Sequence, residues 1–374
     1  MKKCIVIPDS FKGSLSSIEI CNLSKNSISK YYPDCEIILL PVADGGEGTV
    51  DCFLTAMQGE KIITKVHGPY MEEITACYGK FGRMAVIEMA QAAGLPMVCS
   101  RLNPALTTTY GVGELIAHAV NNGANEIILG LGGSATNDAG CGCAAAMGVR
   151  FLDADGNEFI PVGATLEKVV SVETAKVKKL LEKCKITVMC DIDNPMHGEN
   201  GAASVFGPQK GADGAMVREL DRQLVCLDHT IQRTLNIKVS EIPGSGAAGA
   251  MGAGMVAFFG GELKSGIETV LDAVGFDEKV NGADAVFTGE GKIDSQSLRG
   301  KVVIGVARRA KRRNVPVYAV VGDVADDAYL AYDLGVTAIF SINRLAIPFS
   351  EAKARGAKDY EHTLEDILRL MKSL

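Results

Sequence analysis

The chain has 374 residues, 47% of them hydrophobic and 22% charged, a globular composition that excludes a disordered, coiled-coil or collagen-like chain. Thirty-eight basic against 45 acidic residues leave a net charge of −7; the single basic cluster, Arg308-Arg309-Ala310-Lys311-Arg312-Arg313, reads as a solvated face near a helix end, so nucleic acid is not an expected partner. The apolar run after Met1-Lys2-Lys3 is too short for a signal peptide, and the longest uncharged stretch, 242–261, carries seven glycines and a proline, so no membrane span is expected.

Residues 4–7 are an apolar run that predicts a buried strand. Ser16-x-x-Glu19 is a capping box and predicts a helix that ends before Pro33. Residues 36–40 predict a strand, 47–57 a helix and 61–66 a third strand, a βαβαβ opening of the kind that builds a parallel sheet. Residues 75–81 and 84–88 then read as paired strands around a glycine turn, 125–129 and 186–190 as further strands, and Asp155-Gly156 within 151–159 marks a hairpin. The βα alternation returns at the end, with a strand at 284–287, a helix at 301–313, a strand at 315–321, a helix at 325–334, a strand at 336–340 and a closing helix at 360–371. This change of grammar places one doubly wound α/β domain at 1–70 plus 281–374 and a mixed α/β domain inserted at 71–280; two sequential domains are the alternative.

The eleven cysteines show no CxxC pair and no zinc spacing, and read as small buried thiols of a cytoplasmic protein. His118, four residues after Glu114 on a predicted helix, reads as half of a surface pair.

Five segments draw on glycine, carboxylate and lysine. Asp9-Ser10-Phe11-Lys12-Gly13-Ser14 leaves the first strand, where open α/β sheets take ligands; it suits an anion or a simple strand-to-helix turn equally. Asp44-Gly45-Gly46-Glu47 follows the second strand: its acids could bind a metal or orient a hydroxyl, or Asp44 could merely cap the next helix. Gly130-Leu131-Gly132-Gly133-Ser134-Ala135-Thr136-Asn137-Asp138-Ala139-Gly140 joins a strand to a small-residue helix, the arrangement that presents amides to phosphate, although no GK[ST] follows as in a Walker A loop. Cys190-Asp191-Ile192-Asp193-Asn194-Pro195 sets two acids just beyond a strand, hard oxygen ligands that suit Mg²⁺. Thr288-Gly289-Glu290-Gly291-Lys292-Ile293-Asp294 again puts acids and a lysine at a strand end, and Lys210 stands in a further turn. Gly244-x-Gly246-x-x-Gly249 matches the dinucleotide fingerprint literally, but with no preceding strand it reads as a closely packed segment lining a cleft.

In chain order, DSFKGS (9–14), PVADGGEGT (41–49), TTTYGVGELI (107–116), GLGGSATNDAG (130–140), CDIDNP (190–195), FGPQKGA (206–212), PGSGAAGAMG (243–252) and TGEGKIDSQSLRGK (288–301) resemble the bacterial type-1 glycerate kinase family. Departures are Ser245, Ala250 and Ser297, where Ala, Gly and Thr are usual. The resemblance implies a flavodoxin-like domain from both chain ends, an inserted α/β domain with a cleft between them, and phosphorylation of D-glycerate to 2-phosphoglycerate with ATP and Mg²⁺. A homodimer is left open.

Phosphoryl transfer is mostly positioning and charge neutralisation, and this suggests roles. Gly130, Gly132, Gly133, Ser134, Ala135, Thr136, Asn137 and Lys210 are assigned to the ATP phosphates. Asp191 and Asp193 serve as Mg²⁺ ligand and general base, in either order. Lys12 neutralises the transferring phosphoryl group or the glycerate carboxylate. Asp9, Ser10, Asp44, Gly45, Gly46, Glu47, Glu290, Lys292, Asp294 and Arg299 are assigned to the substrate. The alternatives are a kinase of the galactokinase–homoserine kinase type and a non-catalytic nucleotide-binding regulator.

Overall fold

The computed structural model describes residues 1–373. The chain divides into two compact units. The first comprises Met1–Ala43, Asp51–Gln58 and everything from Ser265 onward; the second comprises Asp44–Val50 and Gly59–Lys264. Residues 59–70 therefore lie with the second unit and 265–280 with the first. Among the described residues no helix is long and apolar enough to cross a membrane.

The first unit is built on a five-stranded, wholly parallel sheet, in the order Ala338–Ser341, Val317–Val321, Ala285–Gly289, Lys3–Pro8, Glu36–Leu39. The central strands are buried on both faces, which is why they read as unbroken apolar runs. Ser16 caps helix Ser17–Tyr31: its hydroxyl accepts from Glu19 N–H while Glu19 reaches back to the cap backbone. That helix and the long helix Phe349–Ser373 pack together over a core of Cys4, Val6, Ile20, Phe287, Tyr360 and Leu364. The one polar atom of Tyr360 is satisfied there by the Ser24 hydroxyl at 2.8 Å. Strand order reverses between Lys3–Pro8 and Ala285–Gly289, the flavodoxin-like switch point at which such sheets bind ligands.

The second unit carries a six-stranded mixed sheet, in the order Glu262–Lys264, Lys185–Met189, Glu126–Gly130, Met84–Glu88, Glu73–Phe81, Glu60–His67. The first four strands are parallel and the last two antiparallel. A small antiparallel sheet of Glu158–Phe159, Arg150–Leu152 and Ser171–Glu173 includes the hairpin marked by Asp155-Gly156.

Four local expectations are corrected. Strand Glu60–His67 does not continue the first parallel sheet; it pairs antiparallel with Glu73–Phe81, because a five-residue connection cannot make a parallel crossover. The basic helix Val302–Lys311 is not solvated throughout: Arg309 is buried and bonds Glu268 Oε2 at 2.5 Å and Asp272 Oδ1 at 2.7 Å. Glu114 does not pair with His118 but takes the backbone N–H and Nδ1 of His67, two donors at once, and His118 meets the Tyr78 hydroxyl. Residues 325–334 hold only a short 3₁₀ turn, Asp326–Ala331.

Candidate active site

In the second unit the parallel strands Met84–Glu88, Glu126–Gly130, Lys185–Met189 and Glu262–Lys264 present their carboxyl ends together. The Asp44–Val50 segment lies against these ends. Gly132 N–H donates to the Gly45 carbonyl at 3.0 Å, and Val50 N–H donates to the buried Glu88 Oε1 at 2.7 Å. A Cβ on Gly130 would overlap that same Gly45 carbonyl and one on Gly132 the Gly46 backbone, so the two loops touch backbone to backbone because both positions are glycine. Asp44, Gly45, Gly46 and Glu47 thus arrive beside Gly130, Gly132 and Gly133. Asp44 does not cap the following helix, which begins at Thr49; its Oδ1 accepts from Gly46 N–H instead.

The strand at Glu126–Gly130 does not run straight into a helix. A ten-residue loop, 131–140, intervenes before the six-residue helix Cys141–Ala146, so the loop itself is the structure that can meet a ligand. Side chains remote in sequence hold it. Fully buried Asp138 accepts from Thr109 N–H at 2.8 Å, Thr109 Oγ1 at 2.9 Å, and the amides of Gly140 and Gly142 at 3.2 Å each. Burial pushes its carboxyl pKa up, and those hydrogen bonds pull it back. Thr107 Oγ1 donates to the Ala135 carbonyl at 2.9 Å. Lys210, also buried, donates its amine to the Thr136 carbonyl at 2.6 Å, and burial lowers its pKa to about 7. Within this frame Thr136 Oγ1 and both amide atoms of Asn137 are buried and, among the described residues, have no hydrogen-bond partner.

The glycine-rich segment 243–252 connects this loop to the acidic one. Gly246 N–H donates to the Asn194 carbonyl at 2.9 Å, and Ala139 N–H donates to the Gly249 carbonyl at 3.0 Å. Its glycines are therefore occupied in packing backbone on backbone within the protein, not in a dinucleotide fingerprint. Asp191 and Asp193 stand exposed just past strand Lys185–Met189. Among the described residues no group of three or more His, Cys, Asp or Glu side chains could hold a metal alone. Two exposed carboxylates nonetheless suit Mg²⁺, which keeps waters and shares phosphate oxygens instead of sitting in a closed protein cage.

In the first unit the switch point gathers a second group. Asp9 N–H donates to the Gly289 carbonyl at 2.8 Å, and Ser10 N–H donates to Asp9 Oδ1 at 2.7 Å. Glu290, the next residue after strand Ala285–Gly289, is buried, and its Oε1 has no partner. Desolvation, with the Asp9 charge adding to it, raises its pKa to about 7. Asp294 is committed locally, capping the short helix Ser295–Leu298 through Gln296 and Ser297 N–H. Lys12, Lys292 and Arg299 are exposed on segments leaving the switch point, with Lys292 Nζ 3.9 Å from Asp323.

Asp138, Thr107, Thr109 and Glu88 carry the loop geometry without being legible as site residues beforehand. Three successive hydroxyls at 107–109 were the available signal; nothing in the sequence marked Asp138 as their partner.

The chain matches the sequence model of the glycerate kinase family over residues 4–372. It is 44% identical over 373 residues to a Bacillus cereus glycerate kinase, covering 99% of this chain and 98% of that one. It is 43% identical over 360 residues to the glycerate 2-kinase of Escherichia coli K12, covering 96% and 94%. A crystal structure from Salmonella typhimurium LT2, assigned as a glycerate kinase 2, superposes with a TM-score of 0.89 at 41% identity, covering 100% of this chain and 98% of that one. With one wholly parallel sheet and one mixed sheet, glycine loops at the carboxyl ends of their parallel strands and this whole-length similarity, the chain belongs to the glycerate kinase family.

Proposed function

We propose that the chain transfers the γ-phosphoryl group of ATP to the 2-hydroxyl of D-glycerate, giving 2-phosphoglycerate and ADP. The observation that carries the reading is the 131–140 loop. It is fixed by buried Asp138, Lys210 and Thr107, yet it keeps three buried polar atoms on Thr136 and Asn137 unpartnered. Buried polar groups left without partners are costly; Thr136 Oγ1 and Asn137 Nδ2 can donate and a bound anion would satisfy those two, whereas Asn137 Oδ1 only accepts. Gly130, Gly132, Gly133, Ser134, Ala135, Thr136 and Asn137 meet the phosphates, and Lys210 acts by holding the loop from inside. Asp191 and Asp193 are the carboxylates that would hold Mg²⁺, which when bound would supply charge neutralisation to the phosphates. Asp44 and Glu47 flank the same loop and are further acids available to its ligand.

The switch point of the first unit takes the hydroxy acid. Asp9 and Ser10 contact its hydroxyls, and Lys12, Lys292 and Arg299 are the cations available for its carboxylate. A cytoplasmic setting is part of the proposal, in keeping with eleven free thiols.

The test is incubation with D-glycerate and Mg–ATP, with ADP release followed by a coupled assay and the product identified by phosphorus NMR. Homoserine and a sugar serve as rival acceptors. Release of ADP with either rival but not with glycerate, or no acceptor-dependent release at all, overturns the reading.

A further inference from the structure

Resting on that reading, we infer that Glu290 is the group that takes the proton from the substrate hydroxyl. The backbone around this residue is pinned by three hydrogen bonds from two neighbouring segments. Asp9 N–H donates to the carbonyl of Gly289, Gly322 N–H donates to the carbonyl of Glu290 at 3.1 Å, and Asp323 N–H donates to the carbonyl of Gly291 at 3.0 Å. The segments leaving strands Lys3–Pro8, Ala285–Gly289 and Val317–Val321 are thereby tied together at residues 289–291. A side chain at 289 would overlap the Val320 carbonyl, so that close approach needs glycine, and Glu290 is held in one place.

The side chain is unusual for a structural glutamate. It is only 6% exposed, and among the described residues its Oε1 has no hydrogen-bond partner. The Ser297 hydroxyl lies within reach of both the carboxyl group and the Lys292 carbonyl. The charged groups facing it are Asp9 from the first strand's loop, Asp294 from its own segment, and Lys301 at the cap of helix Val302–Lys311. Burial, with the two acids adding to it, outweighs the Ser297 hydrogen bond and the lysine, so the carboxyl pKa is pushed up to about 7. A purely structural acid at this depth would have both oxygens satisfied. An acid that must accept a proton near neutral pH, from a hydroxyl bound beside Asp9 and Ser10, would have one oxygen waiting and this pKa.

The step balances. As the new bond forms between the glycerate 2-oxygen and the γ-phosphorus, the bond from that phosphorus to the bridging oxygen of ADP breaks and ADP leaves with the electron pair. The hydroxyl proton passes to Glu290 Oε1 and then to solvent when product departs.

The test compares wild type with Glu290→Gln and Glu290→Asp in the full chain, reading kcat and KM against pH and the thermal midpoint. The expected Glu290→Gln enzyme keeps both KM values within about threefold, loses about 10²–10⁴-fold in kcat, and no longer shows the acidic limb that wild type shows near pH 7. Glu290→Asp should recover part of kcat and restore a limb at a shifted pH. A Glu290→Gln enzyme with kcat above a third of wild type, or with the limb intact, overturns the assignment while leaving glycerate phosphorylation standing. A Glu290→Gln chain that unfolds leaves Glu290→Asp to decide: an unmoved limb there overturns it. Absence of glycerate-dependent ADP release in wild type overturns the functional reading and this role with it.

Discussion

Replacing Lys210 by methionine separates the electrostatics of the loop from its packing. The amine is fully buried on the Thr136 carbonyl, and desolvation brings its pKa from 10.5 to about 7, with the Asp138 charge acting in the opposite direction. Above pH 7 the unfolded chain still holds a proton on this lysine that the folded chain has released. Stability therefore rises with pH across the window from about 7 to 10.5, and the penalty of a charged buried amine is fully present below it. One pH unit in that window is worth about 1.4 kcal/mol, so between about pH 7 and 9 wild type should gain about 3 kcal/mol from this group alone. Lys210→Met has no such group. It also loses one hydrogen bond, an offset of about 1 kcal/mol that does not depend on pH. Denaturant unfolding of both proteins at about pH 6.5 and 9 gives the difference directly. The variant should compare best with wild type at the acidic end and lose about 3 kcal/mol of that relative standing by pH 9. A wild-type-to-variant gap that stays constant within about 0.5 kcal/mol would show that the amine is not held neutral by burial, and the account of the loop would fail.

Asp191→Asn and Asp193→Asn should each lower kcat by orders of magnitude with the thermal midpoint unchanged, because both side chains are exposed; near-normal kcat in both variants would remove the pair from the chemistry. For Lys12→Ala, a raised KM for glycerate with ATP binding intact places the lysine on the substrate carboxylate, and the reverse places it on the nucleotide; no change in either denies it both roles. Thr109→Val removes one hydroxyl donor from buried Asp138 and should destabilise the chain by about 1–3 kcal/mol in denaturant unfolding, against a few tenths for an exposed threonine. Gly249→Ala puts a Cβ into the Thr136 carbonyl and should cost about 1–3 kcal/mol and raise the KM for ATP, whereas Ala250→Gly should leave KM where it is.

What could be read beforehand follows from range. The capping box at Ser16 and the hairpin at Asp155-Gly156 are signals confined to a few neighbouring residues, and both are present in the structure. The parallel strands of the first sheet were legible because burial on both faces leaves apolar runs. The pattern of Glu60–His67 says strand but not which partner; the short connection to Glu73 decides that. The partners of Arg309 and Glu114 lie 41 and 47 positions away, beyond the reach of any local pattern. The same limit hid the frame of the 131–140 loop: Asp138 meets Thr109 across 29 positions, and Lys210 meets Thr136 across 74. The glycines marked where backbones touch, but not the buried charges that keep them in contact.

Residues 248–250 show why that frame is unlike an ordinary turn. Ala248, Gly249 and Ala250 are all left-handed, with φ of 56°, 68° and 65°, at the start of helix Ala247–Phe259. For an alanine that conformation costs about 1–2 kcal/mol, and two of the three are alanines. Only position 249 needs glycine for space, since the Thr136 carbonyl lies where its Cβ would be. Residue identity therefore does not impose the turn on Ala248 and Ala250; their surroundings do, through the bond from Ala139 N–H to the Gly249 carbonyl. Ala139 is itself left-handed, with φ of 50°. Two strained backbones thus meet beside the unpartnered Thr136 and Asn137 side chains. Packing alone selects against both strain and orphaned polar atoms, so their coincidence at one loop is the physical argument that the loop is shaped for a ligand.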